Sequence, residues 1–465
     1  MKPSIPQGTR DFAPIDVRRR QYILNTIKSV FELYGFQPLE TPSMENLSTL
    51  MGKYGEEGDR LIFKILNNGL YEKKDQTALN AEWEKMLSKP YSSTTVTERA
   101  LRYDLTIPFA RYVVMHQNDL AFPFRRYQMQ PVWRADRPQR GRYREFWQCD
   151  ADVVGTNSLI NEAELLSIYQ EAFYRLAVPE INIKINSRKI LAGIAAYCEA
   201  PDQLTDITVG IDKLDKIGKD GVAKELLEKG LSEAQIEAIN RVIFITQSEG
   251  TNDSFIAEIE QLFQEKNIEI GLQGVQELKD TLAYYAHLAK AEWTNKVVVD
   301  FTLARGLNYY TGIIVEVGTT AVKMGSIGGG GRYDDLTGLF GLKNLSGVGV
   351  SFGIDRIYDV MMELELFPTT LLSSTKILFV NIEAGADAVI LPYLTKLRNA
   401  NIPAECFPDK TKFDKQMKYA NKRNIPFVAI IGSEELANNT IGLKDMTTGE
   451  QKNVTIDEII AQLVD

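Results

Sequence analysis

Between Lys296 and Gly353 the chain reads as one strand after another with no helical period between them. VVVDFTLA is strand-like, YTGIIVEVG is extended, and SGVGVSFG is a turn running into a strand. Strands joined without intervening helices favour an antiparallel sheet, because a parallel pair needs a long crossover. Two earlier stretches alternate in the same way. In EFWQCDADVVG, Trp147, Cys149, Ala151 and Val153 fall on one face and Phe146, Gln148, Asp150 and Asp152 on the other. In LRYDLTIPF, the alternation predicts a strand with Leu101, Tyr103, Leu105 and Ile107 toward a core and Arg102, Asp104 and Thr106 on a polar face. The run RRYQMQPVWR is also extended. The Pro, Gly and arginines of ADRPQRGR, which follow it, predict a long hairpin with a positively charged tip.

The remaining segments carry other periods. Ile23, Ile27, Val30, Phe31 and Tyr34 recur at helical spacing behind Asp16 and ahead of Gly35, predicting an amphipathic helix over Val17 to Tyr34. FQPLETPSM then breaks it with Pro38 and Pro42. From Arg188 to about Glu292 the chain is rich in Ala, Leu, Glu, Lys and Ile at helical spacing, as in QIEAINRVIF and DSFIAEIEQLFQEK. This block is read as a helical insertion. After Pro368, strand-like KILFVNI, AECF, PFVAIIG and TIGLKDM alternate with the helical patterns LPYLTKLRNA, KQMKYANKR and IDEIIAQLV, the signature of an α/β domain. A length of 465 residues demands several cores. The expected organisation is therefore an α+β chain in four segments: 1–187 and 293–370 as two parts of one sheet domain, 188–292 as the insertion, and 371–465 as the terminal α/β domain.

Composition removes several kinds of chemistry. No apolar run approaches the roughly 18 residues of a membrane span, and MKPSIPQGTRDF has no apolar stretch behind a basic start, so a cytoplasmic protein with no membrane partner is expected. Cys149, Cys198 and Cys406 lack CxxC spacing, which argues against zinc or a disulfide framework. With only His116 and His287 present, and neither near a nucleophile in a known motif, histidine-based nucleophilic catalysis has little support. The net charge of -9 opposes a polyanionic partner overall, yet residues 125–144 hold seven arginines against Asp136 alone, a local balance of +6. No lysine stands among them, and the guanidinium fork grips phosphate bidentately where lysine offers a point charge. A site that activates a carboxylic acid with ATP needs such cations, a flat slot for adenine, and anionic or hydroxyl groups for a substrate ammonium. It needs no protein nucleophile.

VWRADRPQRGRYREFWQCDADVVG resembles motif 2 of the class II aminoacyl-tRNA synthetases in its histidyl form, FGIDR resembles motif 3, and LARGLNYYTG resembles the signature of histidyl-tRNA synthetases. TRDFAPID, LRYDLTIPFARY, GGGGRYDDLTGLFG and the terminal domain match in order, so the resemblance spans nearly the whole chain. It implies a class II synthetase-like antiparallel catalytic sheet with a helical insertion and a C-terminal α/β anticodon-binding domain. It further implies ATP, L-histidine and histidine tRNA as partners, magnesium with ligands not identified, and a homodimer with Pro42 at the motif 1 interface. By the same resemblance Arg134 holds the α-phosphate, Arg142 is among the ATP-binding residues, Asp136 reads the adenine amino group, Phe146 stacks on the ring, and Arg356 meets triphosphate and adenine. Asp104, Thr106 and Gln148 match positions that bind the histidine ammonium, and Asp152, Tyr310 and Tyr333 those that recognise the imidazole. Arg305 matches the arginine that neutralises charge where carboxylate and α-phosphate react, so Arg305 and Arg134 are the expected catalytic residues.

Asp136 stands where the family more often has Glu, and Asn308 where its signature more often has Asp. Tyr310 lies five positions from Arg305, on opposite strand parity, which requires a bend near Gly306 or an indirect path. The run Gly328–Gly331 serves either a tight turn or a close approach of backbone to a ligand. Arg137 and Arg140 on the hairpin, and Lys415, Lys418 and Lys422 on one face of a terminal-domain helix, are expected to face RNA, the alternative being a solvated charged surface. Two other functions fit parts of the pattern. A synthetase-like regulatory subunit that binds histidine without adenylation would lack the terminal domain, and a synthetase for another amino acid would lack LARGLNYYTG.

Overall fold

The computed structural model describes residues 2–52, 55–88, 93–304 and 309–464. Two compact units emerge: Met1–Asp11 with Arg20–Leu366, and Phe12–Arg19 with Phe367–Asp465. In the first, the strands in chain order are β1 (Gln37–Pro38), β2 (Met44–Asn46), β3 (Lys64–Ile65), β4 (Arg99–Leu101), β5 (Phe124–Trp133) and β6 (Glu145–Val154). They continue with β7 (Ile181–Ser187), β8 (Lys296–Val299), β9 (Ile313–Thr319), β10 (Gly328–Tyr333) and β11 (Gly347–Gly353). Eight form one sheet in the order β1-β5-β6-β11-β10-β9-β7-β8, and β2, β4 and β3 make a separate small sheet. All neighbours in the large sheet run antiparallel except β1 beside β5 and β7 beside β8. The segment read as an insertion is the crossover between β7 and β8. Its first and last long helices, Arg188–Tyr197 and Glu269–Leu288, pack so closely that a Cβ on Gly193 would sit 2.6 Å from the Gly271 Cα.

Strand β11 shows how sequence divides the sheet into two faces. Val348, Val350 and Phe352 alternate with Gly347, Gly349, Ser351 and Gly353, and the three apolar side chains are buried. Phe352 meets Phe31 of the helix Pro14–Leu33 (ring centroids 5.8 Å apart) and Tyr169 of the helix Ile160–Arg175 (4.6 Å). One sheet face is thus sealed by helices over Cys149, Ala151, Val153 and Phe352, all buried. The other face is lined by small residues, and it stays open.

The expected strand through LRYDLTIPF is shorter than its alternation suggested. Only Arg99–Leu101 is extended, and Thr106 begins the helix Thr106–Met115. Asp104 accepts from the Ile107 amide at 3.1 Å and so supports the helix start, with Pro108 in the first turn where its missing N–H costs nothing. Arg102 and Asp104 are buried, not on a solvated polar face; Arg102 donates to the carbonyls of Pro131 (2.8 Å) and Thr41 (2.7 Å). The long hairpin is present: β5 and β6 pair in register from Phe124↔Val154 to Trp133↔Glu145, and residues 134–144 form its tip.

In the second unit, β12 (Ile377–Phe379), β13 (Ala404–Cys406), β14 (Phe427–Ile430), β15 (Ile441–Asp445) and β16 (Gln451–Val454) form a sheet in the order β13-β12-β14-β15-β16. Pairing is parallel in the first three and antiparallel beyond, as the alternation of strands and helices requires, with β16 added by a hairpin. On the helix Phe413–Lys422, Phe413, Met417 and Ala420 pack into the core, while Lys415, Lys418 and Lys422 are exposed.

Candidate active site

The open face of the large sheet carries a cavity of about 290 Å³. Its floor is backbone. Gly328–Tyr333 is strand β10, not a turn, and Gly329 and Gly331 stand beside Ser351 and Gly349 of β11. A Cβ on Gly331 would lie 2.9 Å from Tyr310 Cδ1, and one on Gly349 would lie 1.9 Å from Asp152 Oδ1. Any larger residue would fill the space that a ligand and these two side chains share.

Guanidinium groups enter from two elements. Arg134, where the hairpin tip begins, donates through Nε to the Tyr103 carbonyl at 3.1 Å. Its charge lies 4.2 Å from the Tyr103 ring and 5.2 Å from that of Phe146, close enough for cation–π attraction. Arg356, in the helix Ile354–Glu363 that leaves β11, donates to the Gly141 carbonyl at 2.6 Å. Gly141 has φ +70°, and a Cβ there would meet Met324 Sδ at 2.7 Å, so a glycine is what this corner of the tip accepts. The hairpin and the helix are also tied through Asp355, which accepts from the Trp147 amide at 2.9 Å and from the guanidinium groups of Arg10 and Arg20. These ties hold the two arginines at the rim before a ligand arrives.

Beneath Arg134 and Gln148 lies an anionic cluster. Cross-strand pairing puts Gly349 opposite Asp152, Ser351 opposite Asp150 and Gly353 opposite Gln148. Asp152 is buried, ion-pairs with the fully buried Arg126 at 2.8 Å and accepts from the Tyr333 hydroxyl at 2.5 Å. Burial raises the Asp152 carboxyl above its ordinary range, while Arg126 and the Tyr333 hydrogen bond oppose the shift. Asp150, equally buried, is pushed up to about 7 by loss of solvent, against the pull of Arg126 and a Ser351 hydrogen bond. Loss of solvent, reinforced by Asp152, Asp150 and Asp104, holds the Tyr310 phenol above its usual range. Three carboxyls, with the Arg126 guanidinium beside Asp150 and Asp152 and Arg102 also acting on Asp150, leave this the more acidic end of the site. The far end, with Arg134, Arg142 and Arg356, favours an anion.

Of the residues expected at the site, Arg134, Asp136, Arg142, Phe146, Gln148, Tyr310 and Arg356 line the cavity. Arg142 lies 3.8 Å from the Asp136 carboxylate. Asp152 and Tyr333 lie in the layer beneath, bonded to each other, and Asp104 acts on the neighbouring Asp150 carboxyl from the start of its helix. Thr106 opens that helix and does not line the cavity. Arg305 and Asn308 lie outside the described residues. Tyr310 precedes β9, so strand parity does not relate it to its neighbours. Arg137 and Arg140 are exposed on the hairpin tip, Arg140 paired with Glu363. Three site residues escaped the sequence reading. Arg126 was counted with the basic tip but is an internal counter-ion. Asp150 stood on the polar face of its strand with no role attached. Ser351 needed the strand register before it could be noticed.

An antiparallel sheet, sealed on one side by helices and presenting a hairpin arginine and a helix-borne arginine across a glycine floor, defines a class II aminoacyl-tRNA synthetase catalytic core. The family model for histidyl-tRNA synthetase matches residues 92–357, and that for an anticodon binding domain matches residues 377–465. The chain is 53% identical to the histidine--tRNA ligase of Bacteroides fragilis (strain YCH46), covering 99% of each chain. It is also 53% identical to that of Christiangramia forsetii, again with 99% of each covered. The crystal structure of histidyl-tRNA synthetase from Nostoc sp. PCC 7120 superposes with a TM-score of 0.82 at 31% identity over 99% of both chains. The chain belongs to the histidyl-tRNA synthetase family.

Proposed function

We infer that the protein is a histidine--tRNA ligase, which activates histidine with ATP and passes it to the 3′ end of histidine tRNA. The observation that carries this reading is the convergence of Arg134, Phe146, Gln148, Tyr310 and Arg356 on one glycine-floored cavity with opposite charge at its two ends. In the first step the histidine carboxylate attacks the α-phosphorus and pyrophosphate leaves. In the second a ribose hydroxyl of the tRNA attacks the adenylate carbonyl and AMP leaves. Neither step needs a protein nucleophile, so positioning and charge are what the chain supplies.

Residue roles follow from the polarity of the site. Arg134, Arg142 and Arg356 hold the phosphates, Phe146 gives the adenine a stacking surface, and Asp136 accepts from its amino group. Gln148 accepts from the histidine ammonium, with Asp104 and Thr106 behind it, and Asp152, Tyr310 and Tyr333 serve the imidazole. A site built on such hydrogen bonds rejects analogues lacking a ring nitrogen by up to ~10⁴–10⁵-fold. Arg305 neutralises the charge that develops between carboxylate and α-phosphate. Among the described residues no three His, Cys, Asp or Glu side chains gather as a metal cage, so the cavity carboxylate Glu316, together with nucleotide phosphates, is what would hold magnesium. Bound there, the ion would supply charge neutralisation on the phosphates.

The segments 1–187 and 293–370 form the catalytic domain, 188–292 the insertion and 371–465 the anticodon-binding domain. The exposed Lys415, Lys418 and Lys422, and Arg137 and Arg140 on the hairpin, serve the tRNA. A homodimer with the exposed Pro42 at its interface, working in the cytoplasm, completes the reading; among the described residues no helix is long and apolar enough to cross a membrane. The match of residues 377–465 to an anticodon binding domain supports a tRNA ligase over a regulatory subunit that only binds histidine. The test is ATP–pyrophosphate exchange with each amino acid in turn, followed by charging of histidine tRNA. Exchange stimulated by histidine alone is expected, and stimulation by a different amino acid would overturn the reading.

A further inference from the structure

Tyr310 enters the cavity from a segment that the sheet ladder does not hold. The pairing of β9 with β10 ends at Ile314↔Gly331, and Tyr310 comes three residues before β9 begins. Its ring lies against Gly331, where a Cβ would come within 2.9 Å of Cδ1. The next residue, Thr311, is tied at both backbone and side chain. Its amide donates to the Arg332 carbonyl at 2.8 Å, while its hydroxyl donates to Asp334 Oδ2 at 2.6 Å and accepts from the Asp334 amide at 3.1 Å. A hydroxyl has a single proton, and the carboxylate at 2.6 Å takes it in preference to the Arg332 carbonyl 3.4 Å away. Asp334 is held in turn. Its other oxygen, Oδ1, accepts from Ser346 Oγ at 2.8 Å, and Ser346 accepts from Arg332 Nη1 at 2.6 Å. Arg332 is buried and ion-pairs with the buried Glu162 of the helix Ile160–Arg175, Nη2 lying 2.7 Å from Oε2. Arg332, Tyr333 and Asp334 are successive: Tyr333 turns to Asp152, and its neighbours on either side build the anchor for Thr311. Water would satisfy the exposed Thr311 hydroxyl equally well, but would fix it in no particular place.

We propose that Asp334 is a positioning residue that acts through the Thr311 hydroxyl to hold Tyr310 in place for the substrate imidazole. Neither Thr311 nor Asp334 lines the cavity, so their effect reaches the ligand only through Tyr310, which does. A recognising side chain works when it is held within about 0.5 Å of its productive position, and a clamp on the adjoining residue, rooted in the core through Ser346, Arg332 and Glu162, supplies that constraint to a segment outside the ladder. The inference rests on Tyr310 as a partner of the imidazole in the function proposed above.

The experiment titrates the full-length protein, by calorimetry, with L-histidine and separately with ATP. Thr311→Val keeps the branched shape and removes the hydroxyl. It is expected to weaken histidine by about 10-fold, the worth of one hydrogen bond to a charged group, and to leave ATP unchanged. Thr311→Ser, which keeps the hydroxyl, is expected to bind histidine near the level of the unmodified protein. Asp334→Ala should fall as far as Thr311→Val, and the two combined no further, because both break the same bond. Unchanged histidine binding in Thr311→Val, or an equal loss in Thr311→Ser, overturns the clamp. Fully additive losses in the double variant overturn it too, as does equal weakening of histidine and ATP, which would mark a general loosening of the fold. Tyr310→Phe separates the layers. If it weakens histidine and Thr311→Val does not, the clamp alone fails; if it leaves histidine unaffected, Tyr310 is not the partner of the ring, and both readings fall.

Discussion

Arg126→Met tests whether one internal guanidinium holds the anionic cluster together. Arg126 is fully buried, 2.8 Å from Asp152, and its guanidinium lies 4.2 Å from the Phe109 ring. Methionine is unbranched and adaptable, so it occupies much of the space and removes the charge. Taking away one partner of a buried ion pair costs roughly 3–5 kcal/mol, because the other charge stays buried without compensation. Here the cost has a pH signature. Asp150 titrates at about 7 with Arg126 in place, and its carboxyl, like that of Asp152, moves higher without it. Each unit of rise is worth about 1.4 kcal/mol. In the variant the folded-state pKa lies further above the unfolded value, so the folded state takes up protons. Its deficit against the unmodified protein is then present above the variant's pKa and shrinks as pH falls through it toward 7. Urea unfolding of both proteins, followed by Trp fluorescence at pH 6 and pH 9, is the assay. The expected result is a deficit of about 3–5 kcal/mol at pH 9 that is smaller at pH 6. Equal deficits at the two pH values, or none at pH 9, would refute the claim that Arg126 compensates these carboxyls.

Gly349→Ala places a Cβ 1.9 Å from Asp152 Oδ1 and 3.1 Å from the Ala151 carbonyl, so Asp152 must leave its place. Stability is expected to fall by about 1–3 kcal/mol, with loss of histidine binding but not of ATP binding, both measurable by calorimetry. Arg305→Ala is expected to slow ATP–pyrophosphate exchange by roughly 10²- to 10³-fold, and exchange at the unmodified rate would remove Arg305 from the reaction. Replacing Lys415, Lys418 and Lys422 together by Ala is expected to leave exchange untouched. The same change should reduce the salt dependence of tRNA binding by about two in the log–log slope, read by filter binding across a salt series.

Much of the site was legible because strand alternation is local. Phe146, Gln148, Asp150 and Asp152 fall on one face by counting, and the coordinates keep them there. What counting could not reveal was which strand lies beside them: the register that pairs Ser351 with Asp150 and Gly349 with Asp152 joins residues about 200 positions apart. Arg102 and Arg126 misled for a related reason, since an arginine bound for the interior reads in sequence like any other basic residue. LRYDLTIPF alternated like a strand, yet Asp104 and Pro108 already carried the start signals of a helix, and the cap prevailed over the period. The glycine run posed the opposite difficulty. Four glycines have no side-chain pattern, so only their neighbours identify them as a strand.

The crossover between β7 and β8 has a consequence for how this architecture tolerates change. A parallel pair can be joined by about a dozen residues, whereas here the connection runs from Arg188 to Asn295, about ninefold longer. Pairing from Asn182↔Lys296 to Ile185↔Val299 makes the same demand whatever lies between. The helices Arg188–Tyr197, Asn252–Glu265 and Glu269–Leu288 pack on the strands or on the helix Ile160–Arg175 and are held in place, whereas Leu214–Glu228 and Glu233–Ile243 between them are surplus to the needs of the sheet and can lengthen, shrink or be exchanged while the strands that carry the chemistry stay where they are.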